Sequence, residues 1–106
     1  MLPLQKVSEI INRHSELEKD LSSSNLDSKT FAKKSKEYAD LNEIIEIAKF
    51  YISFEKNKNE IQTILEDKNS DTDMIKMAET ELSDLETQNE KNEKKLKLFL
   101  LSLIHI

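Results

Sequence analysis

The chain contains no glycine, no cysteine and no tryptophan, and its only proline is Pro3. Without glycine there is no residue that takes a positive φ at little cost. Tight hairpin turns and phosphate-cradling loops are therefore not expected. Without cysteine there is no disulfide framework and no thiolate ligand, which is compatible with a reducing compartment without requiring one; the expected location is cytoplasmic. Aromatic residues make up 6% of the chain, so a core of ordinary size cannot be built from them. No segment approaches the roughly 20 apolar residues that a membrane span requires, and no membrane partner is expected. Residues 1–6 lack the apolar stretch of a signal peptide.

What remains is a helix-forming inventory. Charged residues reach 35% and hydrophobic ones 37%, over 106 residues that fit one domain. That mixture suits long helices with a narrow packing stripe and solvated outer faces. The net charge is −5. An acidic chain is a poor ligand for phosphates, whose capture depends on Lys and Arg. Lys91, Lys94, Lys95 and Lys97 cluster locally, but Glu90 and Glu93 interrupt them. The cluster reads as a solvated helix face, and direct nucleic-acid binding is not expected.

Periodicity predicts three helices, at about 3–21, 28–66 and 71–101. In the first, Val7, Ile10, His14, Leu17 and Leu21 recur at spacings of three and four, and Pro3 fits the first turn. Residues 22–25 are serine and asparagine, which favour caps and turns. Asp27 or Ser28 would cap the second helix. Its stripe of Ile44, Ile47, Tyr51, Phe54, Ile61 and Leu65 is broken only by Lys58. Leu41, Ile45, Ala48 and Ile52 widen the apolar face of its first half. A continuous rod of about 40 residues would be roughly 60 Å long.

Residues 67–71 form the next turn, with Ser70 or Asp71 as cap and Asp73 favourable to the helix dipole. The third helix carries Ile75, Ala78, Leu82, Leu85, Leu96 and Phe99 on one stripe, interrupted by Asn89 and Asn92. Those two amides are expected on a wet stretch where the helices diverge, the alternative being a buried polar pair that fixes register. The predicted fold class is all-α. It is a long antiparallel, coiled-coil-like hairpin of the second and third helices, with the first helix against its wide end. A single seam offsets backbone ordering only narrowly, so marginal stability is expected, with the far tip of the hairpin opening first.

No catalytic, cofactor-binding or metal-binding residue is predicted, and the chain is not expected to be an enzyme. His14 lies on an apolar stripe, and His105 has no partner ligand nearby in sequence, so metal clusters of the usual His/Cys kind cannot form. Asp67, Asp71 and Asp73 crowd one turn but lack the central glycine and terminal glutamate of an EF-hand loop. Glu37 is placed to pair with Lys33, and Glu90 with Lys94, as ordinary surface support.

Three stretches carry a family resemblance. Arg13-His14-Ser15-Glu16-Leu17 matches an Arg-His-x-Glu-Leu pattern. Ser35-Lys36-Glu37-Tyr38-Ala39-Asp40-Leu41 matches a Ser-Lys-Glu-Tyr-Ala-x-Leu pattern. Leu65-Glu66-Asp67, Asp73-Met74 and Met77-Ala78 with Glu81-Leu82 follow in order. Together, over about 10–101, they resemble the N-terminal helical domain of the bacterial class I peptide chain release factors of type 1. Type 2 factors usually carry a tryptophan-containing turn, which this chain lacks.

The resemblance implies translation termination on the ribosome at UAA and UAG. It implies a position towards the stalk base of the large subunit and packing against the remaining domains of the same factor. The family's Pro-x-Thr and Gly-Gly-Gln motifs are not in this sequence, so the domain, taken as residues 1–101, is expected to be inactive alone. The family usually continues with Pro-x-Asp-Pro, where this chain has Ser102-Leu103-Ile104-His105-Ile106. Leu101 to Ile106 can be back-translated as CTG TCT CTT ATA CAC ATC, which resembles a transposon end used to tag DNA. Residues 102–106 are thus read as a non-native, adapter-encoded tail on a severed reading frame, with a natural frameshift as the alternative. Two other classes remain open at this point. One is a stand-alone helical-hairpin adaptor or oligomerisation module. The other is a tRNA-contacting arm like that of seryl-tRNA synthetase, which would need a basic face.

Overall fold

A computed structural model describes residues 2–23 and 25–104. Among them the chain forms four helices and no strands: α1 (Leu4–Ser22), α2 (Ser28–Asn42), α3 (Ile45–Glu66) and α4 (Thr72–Ile104). The all-α class is as expected. The molecule measures 61 × 30 × 19 Å, because α3 and α4 pair lengthwise as the antiparallel hairpin. Helix α1 packs against both α2 and α3, at the wide end of that hairpin.

The sequence supplies the helix starts. Pro3, at φ −61°, precedes α1, and its carbonyl accepts from the Lys6 and Val7 amides. Asp27 caps α2, its Oδ1 accepting from the Thr30 amide at 2.9 Å. Asp71 caps α4 in the same way, accepting from the Met74 amide at 2.8 Å. Each carboxylate satisfies an amide that would otherwise lack a partner in the first turn. The turn between α3 and α4 closes without glycine. Asp67 Oδ1 accepts from the Asn69 amide, and Ser70 Oγ donates to the Ile64 carbonyl at 2.7 Å.

One expectation is corrected. The predicted rod over 28–66 is two helices, divided at Glu43 and Ile44. There the hydrogen bonds tighten to the i−3 type: Glu43 N–H donates to the Asp40 carbonyl and Ile44 N–H to the Leu41 carbonyl. Ile44 sits at φ −118°, ψ −8°, outside the helical minimum. The compensation is burial. Leu41, Ile44, Ile45 and Ala48 are all buried, although Ile44 and Ile45 would point about 100° apart on an ideal helix. Breaking the rod lets α2 lie along α1 while α3 continues along α4.

The core gathers Val7, Ile10 and Leu17 of α1 with Leu41, Ile44, Ala48 and Tyr51, and receives Leu96 from α4. Phe99 and Leu100 pack against the same cluster. Tyr51 also anchors the chain start, its hydroxyl accepting from the Leu2 amide at 2.9 Å. A second correction concerns the amides of α4. Asn92 is buried, not on a wet stretch, and accepts a hydrogen bond from Gln88 Nε2 at 3.0 Å. Asn89 Oδ1 is buried with no hydrogen-bond donor. Helix α4 runs on through Ser102 and Leu103 to Ile104, past the expected end at 101, while His105 and Ile106 lie outside the described residues.

Candidate functional site

The two sequence motifs nearest the N-terminus face each other. Helices α1 and α2 are antiparallel, and their turn sets a register that brings residues 13–20 beside residues 34–42. Arg13 donates to both carboxylate oxygens of Glu37, from Nε at 2.7 Å and from Nη2 at 2.8 Å. Its Nη1 lies 3.4 Å from Glu16 on its own helix. The expected i−4 partner, Lys33, is not the group that holds Glu37; it adds only a lesser attraction.

Nearer the α1–α2 turn, Lys34 Nζ donates to Asp20 Oδ2 at 2.8 Å. His14 stacks on Tyr38, with ring centroids 4.7 Å apart and planes 22° from parallel, and its Nε2 hydrogen-bonds Asn42 Oδ1. Leu17 and Leu41 close the motifs inside the core. So Arg13, His14 and Leu17 pair with the Glu-Tyr-Ala-x-Leu segment through an ion pair, a ring stack and apolar burial.

The electrostatics follow from that geometry. The hydrogen bonds from Arg13 hold the Glu37 carboxyl below the ordinary carboxylate range, against a smaller desolvation effect. The same bonds raise the Arg13 guanidinium above its already high value. Asp20 is lowered by Lys34, and Asp27 by its hydrogen bonds to Thr30. Arg13 with Glu37, Lys34 with Asp20, and Asp27 with Thr30 are thus engaged within the chain. His14 packs between α1 and α2 against the Tyr38 ring.

Among the described residues no group of three or more His, Cys, Asp or Glu side chains is placed to hold a metal ion. Asp67 and Asp71 are occupied in turn and cap bonds, and Lys91, Lys94, Lys95 and Lys97 are exposed along α4. No described helix is long and apolar enough to cross a membrane.

Exposed apolar side chains include Leu4 on α1 and Phe31 on α2, and they gather at both ends of α4. Leu98, Leu101 and Leu103 are exposed at the C-terminal end of α4, with Leu98 at 69%. Met74 and Met77 are exposed at the opposite tip of the hairpin. Lys58, which breaks the α3 stripe, is half-buried. Its ammonium lies 3.9 Å from Glu86 on α4 and 5.9 Å from the centre of the Phe54 ring, so the seam is bridged by charge where it lacks an apolar residue.

What this arrangement defines is a helical packing module. The chain belongs to the PCRF domain family, whose profile matches residues 10–103. Its relatives include a peptide chain release factor 1 from Pelagibacter ubique, 54% identical over 101 residues, covering 95% of this chain and 28% of that protein. A peptide chain release factor 1 from Bartonella quintana is 33% identical over 100 residues, covering 94% of this chain and 28% of that protein. One from Agathobacter rectalis is 38% identical over 98 residues, covering 91% and 27%. The chain thus spans little more than a quarter of the length of these relatives. No solved structure gives a significant match.

Proposed function

We propose that this chain serves as the N-terminal helical domain of a type 1 peptide chain release factor, a protein of translation termination that reads UAA and UAG. The observation that supports this reading is the interlock of the two motif segments, Arg13 on Glu37 and His14 on Tyr38, within a stretch that matches the family along 10–103. In this reading the domain is a positioning element in the cytoplasm. It lies towards the stalk base of the large ribosomal subunit. The exposed Leu98 and Leu101 at the end of α4 form the face that packs against the other domains of the factor.

The chain holds no chemistry of its own for peptidyl-tRNA hydrolysis. A sequence without glycine has no Gly-Gly-Gln, and the one proline is Pro3. It is therefore a non-enzymatic part of a larger machine. A release assay on ribosomes stalled at UAA tests this. The isolated chain is expected to release no peptide, and in excess to slow release by a full-length factor by competing for its docking position. Stop-codon-dependent release by the chain alone would overturn the reading. So would the absence of any effect on the full-length factor at saturating concentration.

A stand-alone adaptor is the competing reading, and solution size separates the two. A cooperative, discrete oligomer built through the end of α4 favours the adaptor. A monomer of modest stability favours the domain.

A further inference from the structure

The two flanks of the α3/α4 hairpin are unlike. On one, Lys58 spans to Glu86 and covers the Phe54 ring. On the other, an open groove runs between the helices. Half-buried Phe50, Ile61 and Leu85 form its floor, and exposed Glu60, Glu81 and Asp84 form its walls. Its lining contains no cation. The sequence reinforces this locally: residues 77–90 carry five carboxylates and no Lys or Arg, although the chain as a whole holds 16 of them.

We infer that this groove docks a basic amphipathic helix of a protein partner, with apolar side chains on Phe50, Ile61 and Leu85 and Lys or Arg over the carboxylates. The three ring and aliphatic groups are incompletely covered, so an apolar side chain laid on them leaves water favourably. The three walls repel nucleic acid and acidic peptides. They attract cations, but at exposed sites a bare cation gains little, because solvent and salt screen it. An occupant that combines both features gains from each. The span from Phe50 to Ile61 is 11 residues along α3, about 16 Å, which is the length of roughly three helical turns. This goes beyond the release-factor reading, since it stands on the groove's lining and would hold for a stand-alone module as well.

The test uses the full chain and a fluorescein-labelled 14-residue peptide with Leu at helical spacings of three and four and Lys elsewhere, read by fluorescence anisotropy. One-to-one binding that weakens as salt rises is expected. The double variant Glu81→Gln/Asp84→Asn is expected to weaken it at least tenfold with thermal melting unchanged. Replacing the peptide's leucines by serine is expected to weaken it at least as much. The off-groove double variant Glu46→Gln/Glu55→Gln is expected to shift it less than twofold. Equal losses in the groove and off-groove variants would reduce the effect to general charge attraction and overturn the assignment. No binding, or undiminished binding of the serine peptide, would also overturn it. So would a concentration-dependent dimer that Glu81→Gln/Asp84→Asn abolishes, since a second copy of the chain would then be the occupant.

Discussion

Arg13 on α1 and Glu37 on α2 are 24 residues apart in sequence and form a two-pronged ion pair, at 2.7 and 2.8 Å. Both side chains are about two-fifths exposed, at 41% and 42%, so water screens the charge and the gain is modest. A double-mutant cycle of Arg13→Ala and Glu37→Ala, followed by urea unfolding, is expected to give a coupling energy of about 0.5–1 kcal/mol. Simple additivity of the two substitutions would show that the pair contributes nothing.

Acid should loosen the same contact. Glu37 is held below its ordinary value of 4.5, and Asp20 below its 3.8, by the cations that they meet. A carboxyl whose folded pKa is lowered contributes its full stability above the unfolded value and loses it as pH falls through the folded one. Stability is thus expected to be level above about pH 5 and to decline as pH drops below about 4.5. Glu37→Gln should flatten that decline while lowering stability at pH 7. Thermal melting at pH 7, 5, 4 and 3 measures both effects, and an unchanged acid slope in Glu37→Gln would contradict the assignment.

Burial separates leucines that look alike in sequence. Leu17 is 0% exposed and Leu98 is 69% exposed. Leu17→Ala is expected to cost about 2–5 kcal/mol, enough to unfold a chain of marginal stability at room temperature. Leu98→Ala is expected to fall within about 0.5 kcal/mol of the original. Circular dichroism melting of the two variants compares them directly.

The seam of α4 has one position where a polar atom is a burden. Asn89 Oδ1 is buried and accepts no hydrogen bond. A buried acceptor without a donor costs about 1–3 kcal/mol. Asn89→Leu should therefore stabilise the hairpin by about 1 kcal/mol, raising the melting temperature by several degrees. Asn92→Leu should not, because Asn92 accepts from Gln88 and fits a closely packed position. A destabilised Asn89→Leu would contradict this account of the seam.

These contrasts show which features the sequence made legible. The caps were readable to within one residue, as Asp27 or Ser28 and Ser70 or Asp71, because a short polar side chain just before an apolar rhythm has a local task; the structure uses Asp27 and Asp71. The stripe through Tyr51, Phe54, Ile61 and Leu65 was readable because helical period alone places it on one face. The break at Glu43 and Ile44 was not. No glycine or proline marks it, and the apolar rhythm runs through it. The reason for it is tertiary: α1 packs against both segments, α2 and α3, and the break lets Leu41, Ile44, Ile45 and Ala48 all be buried. The Arg13–Glu37 pair was hidden for a related reason. Spacing within α2 offers Lys33 to Glu37, whereas the register of two helices depends on the length of the turn between them. The burial of Asn92 and the open flank beside Leu85 depend on how far each helix is rotated about its axis, which periodicity fixes only coarsely.

The central claim is that the two motif segments lock α1 onto α2 in one antiparallel register at the wide end of a long hairpin. A nuclear Overhauser spectrum of the labelled chain tests it most directly. Cross-peaks are expected between the ring protons of His14 and Tyr38, and between the Tyr51 ring and Leu2. A folded, helical chain without the first of these, or with His14 instead close to Met74 and Met77 at the far tip, would contradict it.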